Sequence, residues 1–191
     1  MIYVPASCAQ PAPLLITLHG AGSTSERAMR LVQAHVDRTG TIVIAPQSFA
    51  RTWDLIVGRM GPDIEGIAAA LALVFAQHDV DRARIAISGF SDGASYALTV
   101  GLANGDLITH VIAFSPGFLV ARYRSGKPRV FVSHGVDDGV LPIERCGRRI
   151  AAALDRDGYD AVYREYAGAH SVPPEIAGEA IDWFTDSPPR R

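Results

Sequence analysis

Six short apolar runs are distributed along the chain. The first five are continuous rather than alternating, which is typical of parallel strands that are covered on both faces. We predict strands at residues 13–20, 41–48, 84–90, 109–117, 128–135 and 161–168, and a short edge strand in the opening MIYV.

Apolar residues between these runs recur every three or four positions, as in amphipathic helices. In residues 63–78, for example, Ile64, Ile67, Leu71 and Val74 share one face, and Pro62 suits the first turn. We predict the other helices at residues 25–38, 91–104, 142–157 and 175–184. The 142–157 helix would make Cys146 a buried apolar residue.

This alternation of strands and helices predicts an α/β fold. We expect a mostly parallel sheet of about six to seven strands, with right-handed crossovers and helices on both faces. A length of 191 residues predicts one domain, 1–191, in which residues 186–191 form a frayed tail.

Composition narrows the class of protein. A net charge of −2, with 20% charged residues, gives no support for binding nucleic acid or an anionic membrane surface. No apolar run is long enough to span a membrane, and the opening residues do not resemble a secretory signal. The two cysteines are too few for a disulfide framework, so we expect a reduced, cytoplasmic protein.

Chemically useful side chains follow the predicted strands. The first run ends in a histidine-glycine segment, residues 19–22, and the third ends at Ser91. Asp137 and Asp138 follow the fifth run, and His170 follows the sixth. Ligands of open α/β sheets bind beyond the carboxyl ends of the strands, and the chain order Ser, Asp, His is that of α/β-hydrolases.

The spacing of glycines around Ser91 has a physical explanation. Gly89, Ser91 and Gly93 form a G-x-S-x-G motif between a predicted strand and a predicted helix. In a tight strand-to-helix turn, a Cβ at either glycine would collide with backbone, while the serine hydroxyl would be lifted clear of the sheet. The alternative is that Ser91 only caps the helix.

Four motifs together resemble the phospholipase/carboxylesterase family of α/β-hydrolases, which includes acyl-protein thioesterases and small bacterial esterases. LHGAGS is similar to its oxyanion loop, SGFSDGA to its nucleophile turn, HGVDDGVLP to its acid loop and YAGAHSVPPE to its histidine segment. They span residues 18–175 in the family's order. The resemblance implies the α/β-hydrolase fold.

The resemblance also implies roles for particular residues. Ser91 would be the nucleophile, Asp138 the acid and His170 the base. The backbone amides of Ala21 and Asp92 would form the oxyanion hole. No cofactor or metal is implied.

Some positions leave alternatives open. Asp137 is the rival of Asp138 as the acid. Asp92 stands where the family has glutamine, and we expect its carboxylate to face solvent or a neighbouring cation. The short amino terminus lacks one early strand of the family, so either the sheet is trimmed or the start is truncated.

Further residues have two interpretations each. Trp53 and Phe118 either line the substrate pocket or pack within their loops. His19 and His134 are expected to bond their own loops. A metal site built from His19, His134 and Asp137 has no recognised ligand spacing.

The predicted function is that of a serine carboxylic-ester hydrolase acting on small to medium acyl esters. Residues 116–128 leave no room for a large lid, so the site should be open. Acyl thioesterase or polyester depolymerase-like activity is the alternative, and a non-catalytic binding protein of the same fold is another. We expect a small-molecule ester as the partner, and both monomer and homodimer remain open.

Overall fold

A computed structural model describes residues 1–58, 61–120 and 123–186, so all but the first residue of the predicted tail, 186–191, lie outside the described residues. The described chain begins with β1 (Ile2–Tyr3), β2 (Ala12–Leu18), α1 (Ser25–Thr39), β3 (Ile42–Ile44), a 3₁₀ turn (Asp54–Val57) and α2 (Pro62–Gln77). It continues with β4 (Val80–Phe90), α3 (Asp92–Ala103), β5 (His110–Phe114), β6 (Arg129–Gly135), α4 (Gly147–Arg156), β7 (Ala161–Tyr166) and α5 (Pro174–Thr185).

The strands form one seven-stranded sheet in the order β1-β3-β2-β4-β5-β6-β7. β1 pairs antiparallel with β3, and every other neighbouring pair is parallel. The predicted number and direction of strands are therefore confirmed. The carboxyl ends of β2, β4, β6 and β7 lie along one edge of the sheet, where parallel pairing brings the loops that follow them together.

Helices cover both faces of the sheet, as predicted. In β2, Leu14 and Ile16 contribute to a core that also contains residues of α2, α3 and α4. The intervening Leu15 points into a second core with residues of α1 and α5. This double burial explains why the strands are continuous apolar runs.

Helix α4 starts later than the sequence predicts, at Gly147 rather than at residue 142. Residues 143–146 form a turn instead, and Cys146 has non-helical dihedrals, φ −115° and ψ −91°. Ile143 and Cys146 are buried, so these two apolar side chains pack into the core from a turn rather than from a helix. The prediction that Cys146 is buried is confirmed.

None of the helices in the described ranges is long and apolar enough to cross a membrane. The described parts of the connection between β5 and β6 contain no helix, and a single bridge ties Gly126 to Gly105.

Candidate active site

A tight turn between β4 and α3 presents Ser91. Its φ of 58° lies in the left-handed region, which is unusual for a residue other than glycine. A Cβ on Gly89 would lie 2.3 Å from the carbonyl carbon of Gly93, and a Cβ on Gly93 would lie 2.5 Å from the carbonyl oxygen of Leu18. The predicted crowding is confirmed. The Ser91 side chain makes no capping hydrogen bond to α3, which argues against the helix-cap interpretation.

Three side chains from different loops form a line of hydrogen bonds. The Ser91 Oγ lies 3.0 Å from His170 Nε2, and His170 Nδ1 lies 2.6 Å from Asp138 Oδ2. An acid accepting from Nδ1–H leaves Nε2 free to accept from the serine hydroxyl. Asp137, the rival acid, is exposed, and its amide donates to the Gly168 carbonyl. The structure thus brings Asp138, not Asp137, to the imidazole.

Asp138 is held firmly in its ionised form. Burial favours the neutral acid, but donation from the Leu141 amide, His170 and the Val140 amide outweighs it, so the pKa of Asp138 lies below its ordinary value. A second imidazole, His134, has its Nε2 3.2 Å from Asp138 Oδ2 and donates to the Leu141 carbonyl at 2.7 Å. The prediction that His134 bonds its own loop is confirmed.

Two backbone amides near Ser91 are left without protein acceptors. Within the described part of the chain, neither the Ala21 amide nor the Asp92 amide donates to another residue. The Ala21 loop is nevertheless fixed, because the Gly22 amide donates to the Arg51 carbonyl at 2.7 Å. Asp92 opens α3, where the first amides of a helix have no internal partner.

His19 braces the loop that carries Ala21. Its Nδ1 donates to the Gly20 carbonyl at 2.8 Å, and its Nε2 accepts from the Ser48 amide at 3.1 Å. Gln47 approaches the same nitrogen at 3.0 Å. The expectation that His19 bonds its own loop is confirmed.

Trp53 is not a wall of an open pocket. It is 0% exposed and lies between the rings of His19 and Tyr96, with centroids 4.8 and 5.3 Å away. Its indole N–H donates to the His19 carbonyl at 2.8 Å. The substrate-contact prediction for Trp53 is therefore wrong, since the ring packs beneath the Ala21 loop and supports it from the core.

Two buried carboxylates, which the sequence analysis did not single out, fix the segment that carries Trp53. Asp63 accepts from the amides of Phe49 and Asp54, both at 2.7 Å. Asp54 accepts from the Asp63 amide at 3.1 Å and from the Tyr96 hydroxyl at 3.1 Å. Burial, followed by the charge of Asp54, raises the pKa of Tyr96, so its hydroxyl remains a donor.

Thr52 is another functional neighbour that the sequence did not indicate. Its hydroxyl donates to Asp92 Oδ2 at 2.7 Å. Asp92 is partly exposed, as expected for a carboxylate that faces solvent, and in addition its Oδ2 accepts from this neutral hydroxyl, which was not expected. The hydrogen bond from Thr52 joins the segment that carries Trp53 to Asp92, the first residue of α3. The Asp92 amide is one of the two amides without a protein acceptor in the described part of the chain.

A cavity of about 320 Å³ adjoins His170. The Phe90 ring, 4.7 Å from the His170 ring, forms part of its wall. The other apolar side chains in its lining are Leu18, Ala28, Leu31 and Val172. Phe118 lines a different and larger cavity beside α4.

Solved structures resemble this chain in overall fold. The crystal structure of esterase PE8 has a TM-score of 0.77 with this chain at 24% identity, covering 97% of each chain. The chain has the α/β-hydrolase fold. The predicted fold class is confirmed.

Two curated relatives match this chain in sequence, while no family model does. Acyl-protein thioesterase 1 of Gibberella zeae is 31% identical over 106 residues, covering 50% of this chain and 45% of the relative. A bifunctional acetylxylan esterase/xylanase of Neocallimastix patriciarum is 24% identical over 148 residues, covering 73% of this chain and 21% of the relative. The chain spans less than half the length of either relative. The resemblance to acyl-protein thioesterases and esterases is confirmed.

Proposed function

We propose that this α/β-hydrolase is a serine carboxylic-ester hydrolase. The observation that carries the proposal is the unbroken line of hydrogen bonds from Ser91 through His170 to Asp138. The unused amides of Ala21 and Asp92 lie on the loops that flank the serine. Nucleophile, base, orienting acid and oxyanion donors are the parts that acyl transfer requires.

The reaction begins when Ser91 Oγ attacks the ester carbonyl carbon. His170 Nε2 takes the hydroxyl proton, and Asp138 stabilises the resulting imidazolium. The carbonyl oxygen becomes an oxyanion, which the amides of Ala21 and Asp92 bind; each such donor contributes roughly 3–4 kcal/mol to the transition state.

The tetrahedral intermediate then collapses. The bond to the leaving alcohol breaks, and the alcohol takes the proton from His170. Water, deprotonated by the same imidazole, attacks the acyl group on Ser91 and releases the acid. The enzyme returns to its starting protonation state, so the cycle consumes one water for each ester.

Small to medium acyl esters are the proposed substrates. The cavity of about 320 Å³ beside His170 has a mainly apolar lining, which suits a short hydrocarbon group of the substrate. A thioester is the second candidate, because one relative is named an acyl-protein thioesterase and the same groups can cleave both bonds. A non-catalytic binding role is less favoured, because Ser91, His170 and Asp138 are all present and hydrogen-bonded in sequence.

A paired substrate series tests this proposal. We expect p-nitrophenyl esters of short and medium acids to be hydrolysed, with kcat/KM falling for acyl chains that are too long for the site to enclose. Acyl thioesters of the same chain lengths measure the second candidate on an equal footing. A correctly folded preparation that hydrolyses neither series would refute the proposal.

Asp92 is expected to contribute through its amide rather than through its charge. Asp92→Asn retains the backbone donor and an oxygen that can accept from Thr52, so kcat/KM should change by less than about tenfold. The measurement is kcat/KM from about pH 5 to 9 for both proteins. A large gain in rate would instead mean that the carboxylate points at the oxyanion and opposes it.

A further inference from the structure

A second cavity, of about 400 Å³, lies between the segment that follows β5 and helix α4. Its apolar lining comes from Phe118, Leu119, Ile150 and Ala153. Cavities of this volume accommodate small organic ligands. Phe118, which the sequence suggested as a substrate contact, therefore lines a cavity that is large enough for a small organic ligand.

The same cavity carries an excess of positive charge. Arg124, Arg145, Arg149 and Arg156 line it together with one carboxylate, Asp157. Arg124 pairs with Asp157 at 2.7 Å and holds the pKa of that carboxyl below its ordinary value. Arg156 lies 3.9 Å from the same carboxylate. Among the described lining residues, one carboxylate therefore stands against four guanidinium groups, and we call this site the arginine cavity.

In the part of the chain that the structure describes, Arg145 and Arg149 lack acidic partners. Neither forms an ion pair or a side-chain hydrogen bond with any residue in the described ranges. The adjacent Arg148, in contrast, pairs with Glu144 and with Glu165, the latter at 2.7 Å. Both Arg145 and Arg149 line the same cavity, and the like charges of their guanidinium groups repel each other. An anion between their guanidinium groups would relieve that repulsion.

Helix α4 adds to the positive potential at this end of the cavity. Its first turn contains no acidic residue, although the N-terminus of a helix favours negative charge. Arg149 lies in that turn, and Arg145 lies just before it. The helix dipole and both unpaired guanidinium groups therefore favour the same kind of ligand, an oxyanion.

The arginine cavity adjoins the backbone around the nucleophile. Gly117, which lines it, donates its amide to Ser95 Oγ at 2.9 Å, and that hydroxyl donates to the Ser91 carbonyl at 3.3 Å. A Cβ on Gly117 would lie 3.3 Å from the Leu141 side chain, and the Leu141 amide donates to Asp138. The cavity therefore lies close to the turn that carries Ser91.

We propose that the arginine cavity binds a carboxylate or phosphate group carried by the ester substrate. The apolar lining would contact the hydrocarbon between that anion and the ester, and Arg145 and Arg149 would hold the anion by charge-assisted hydrogen bonds. This inference rests on the proposed function and deepens it, because it selects anionic esters over neutral ones of equal length.

Matched pairs of esters test the proposal. One arm compares mono-p-nitrophenyl esters of dicarboxylic acids with p-nitrophenyl esters of neutral acids of equal chain length. The other compares monoacyl glycerol phosphate with monoacylglycerol. We expect kcat/KM to favour the anionic member of at least one pair by about tenfold, and added salt to reduce that preference. The arm in which the preference appears identifies the anion.

Variants locate the preference. Arg145→Gln/Arg149→Gln should bring the anionic-to-neutral ratio close to one while leaving neutral esters unaffected. Arg148→Gln, on the same helix but paired elsewhere, should preserve the ratio. Equal rates within every pair in the wild type, or a ratio that survives the double substitution, would overturn the proposal while leaving ester hydrolysis intact.

Failure of the proposed function would look different, because no ester would then be hydrolysed. In that case, calorimetric titration of the wild type with glutarate and with inorganic phosphate decides the matter. Binding that the double substitution weakens and Arg148→Gln does not would support the arginine cavity as an anion site. Binding that is absent, or unchanged by the double substitution, would overturn it.

Discussion

Ser91→Ala is expected to lower kcat/KM for p-nitrophenyl esters by about 10⁵-fold or more, because it removes the atom that attacks the carbonyl. Among the residues that the structure describes, the Ser91 side chain hydrogen-bonds only to His170, so the fold should be little affected. We expect a thermal midpoint within about 3 °C of the wild type. Steady-state kinetics and a thermal melt of the same preparation measure both quantities.

Ser88→Ala provides the matched control for Ser91→Ala. Ser88 lies three residues earlier, in β4. It is fully buried, and its hydroxyl donates to the Ile16 carbonyl at 3.2 Å. Its loss should cost some stability and leave most activity. A Ser91→Ala protein that keeps more than about a hundredth of wild-type activity would contradict the assignment of the nucleophile.

Asp138→Asn is expected to lower kcat by about 10³- to 10⁴-fold. The Val140 and Leu141 amides donate to Oδ1, so the new side-chain oxygen would occupy that position and the NH₂ group would face His170. An NH₂ donor at Nδ1 forces the ring proton onto Nε2, where it prevents the imidazole from accepting the Ser91 proton.

Asp137→Asn is the control for Asp138→Asn. Its carboxylate is exposed, and the hydrogen bond that this residue makes to Gly168 uses its backbone amide. We expect kcat within about threefold of the wild type, as for other exposed charges. Equal losses in the two variants, or a larger loss for Asp137→Asn, would contradict the choice of Asp138.

Local pattern was sufficient to predict much of this fold. Continuous apolar runs indicated buried parallel strands, and the glycines at 89 and 93 indicated a turn with no room for a Cβ. The ends of the predicted strands drew attention to Ser91, His170 and the pair Asp137 and Asp138, and the resemblance to the family's motifs implied Asp138 as the acid. These features depend on neighbours in the chain, which a sequence displays directly.

The features that were missed depend on which distant segments meet. Trp53 and His19 are separated by 34 positions, and Thr52 and Asp92 by 40, so neither contact has a sequence signal. The start of α4 was misplaced because a turn can bury Ile143 as well as a helix can. A Cβ at residue 147 would lie 2.7 Å from the His134 ring, a constraint that appears only when the two segments pack together.

The most direct test of Ser91 as the nucleophile is covalent labelling with a fluorophosphonate, followed by mass-spectrometric mapping of the modified peptide. We expect a single adduct, on Ser91, in the wild type, and none in Ser91→Ala. Labelling should slow strongly in Asp138→Asn, since His170 then no longer activates the hydroxyl. An adduct on another serine, or no adduct in a preparation that hydrolyses p-nitrophenyl esters, would contradict the proposed mechanism.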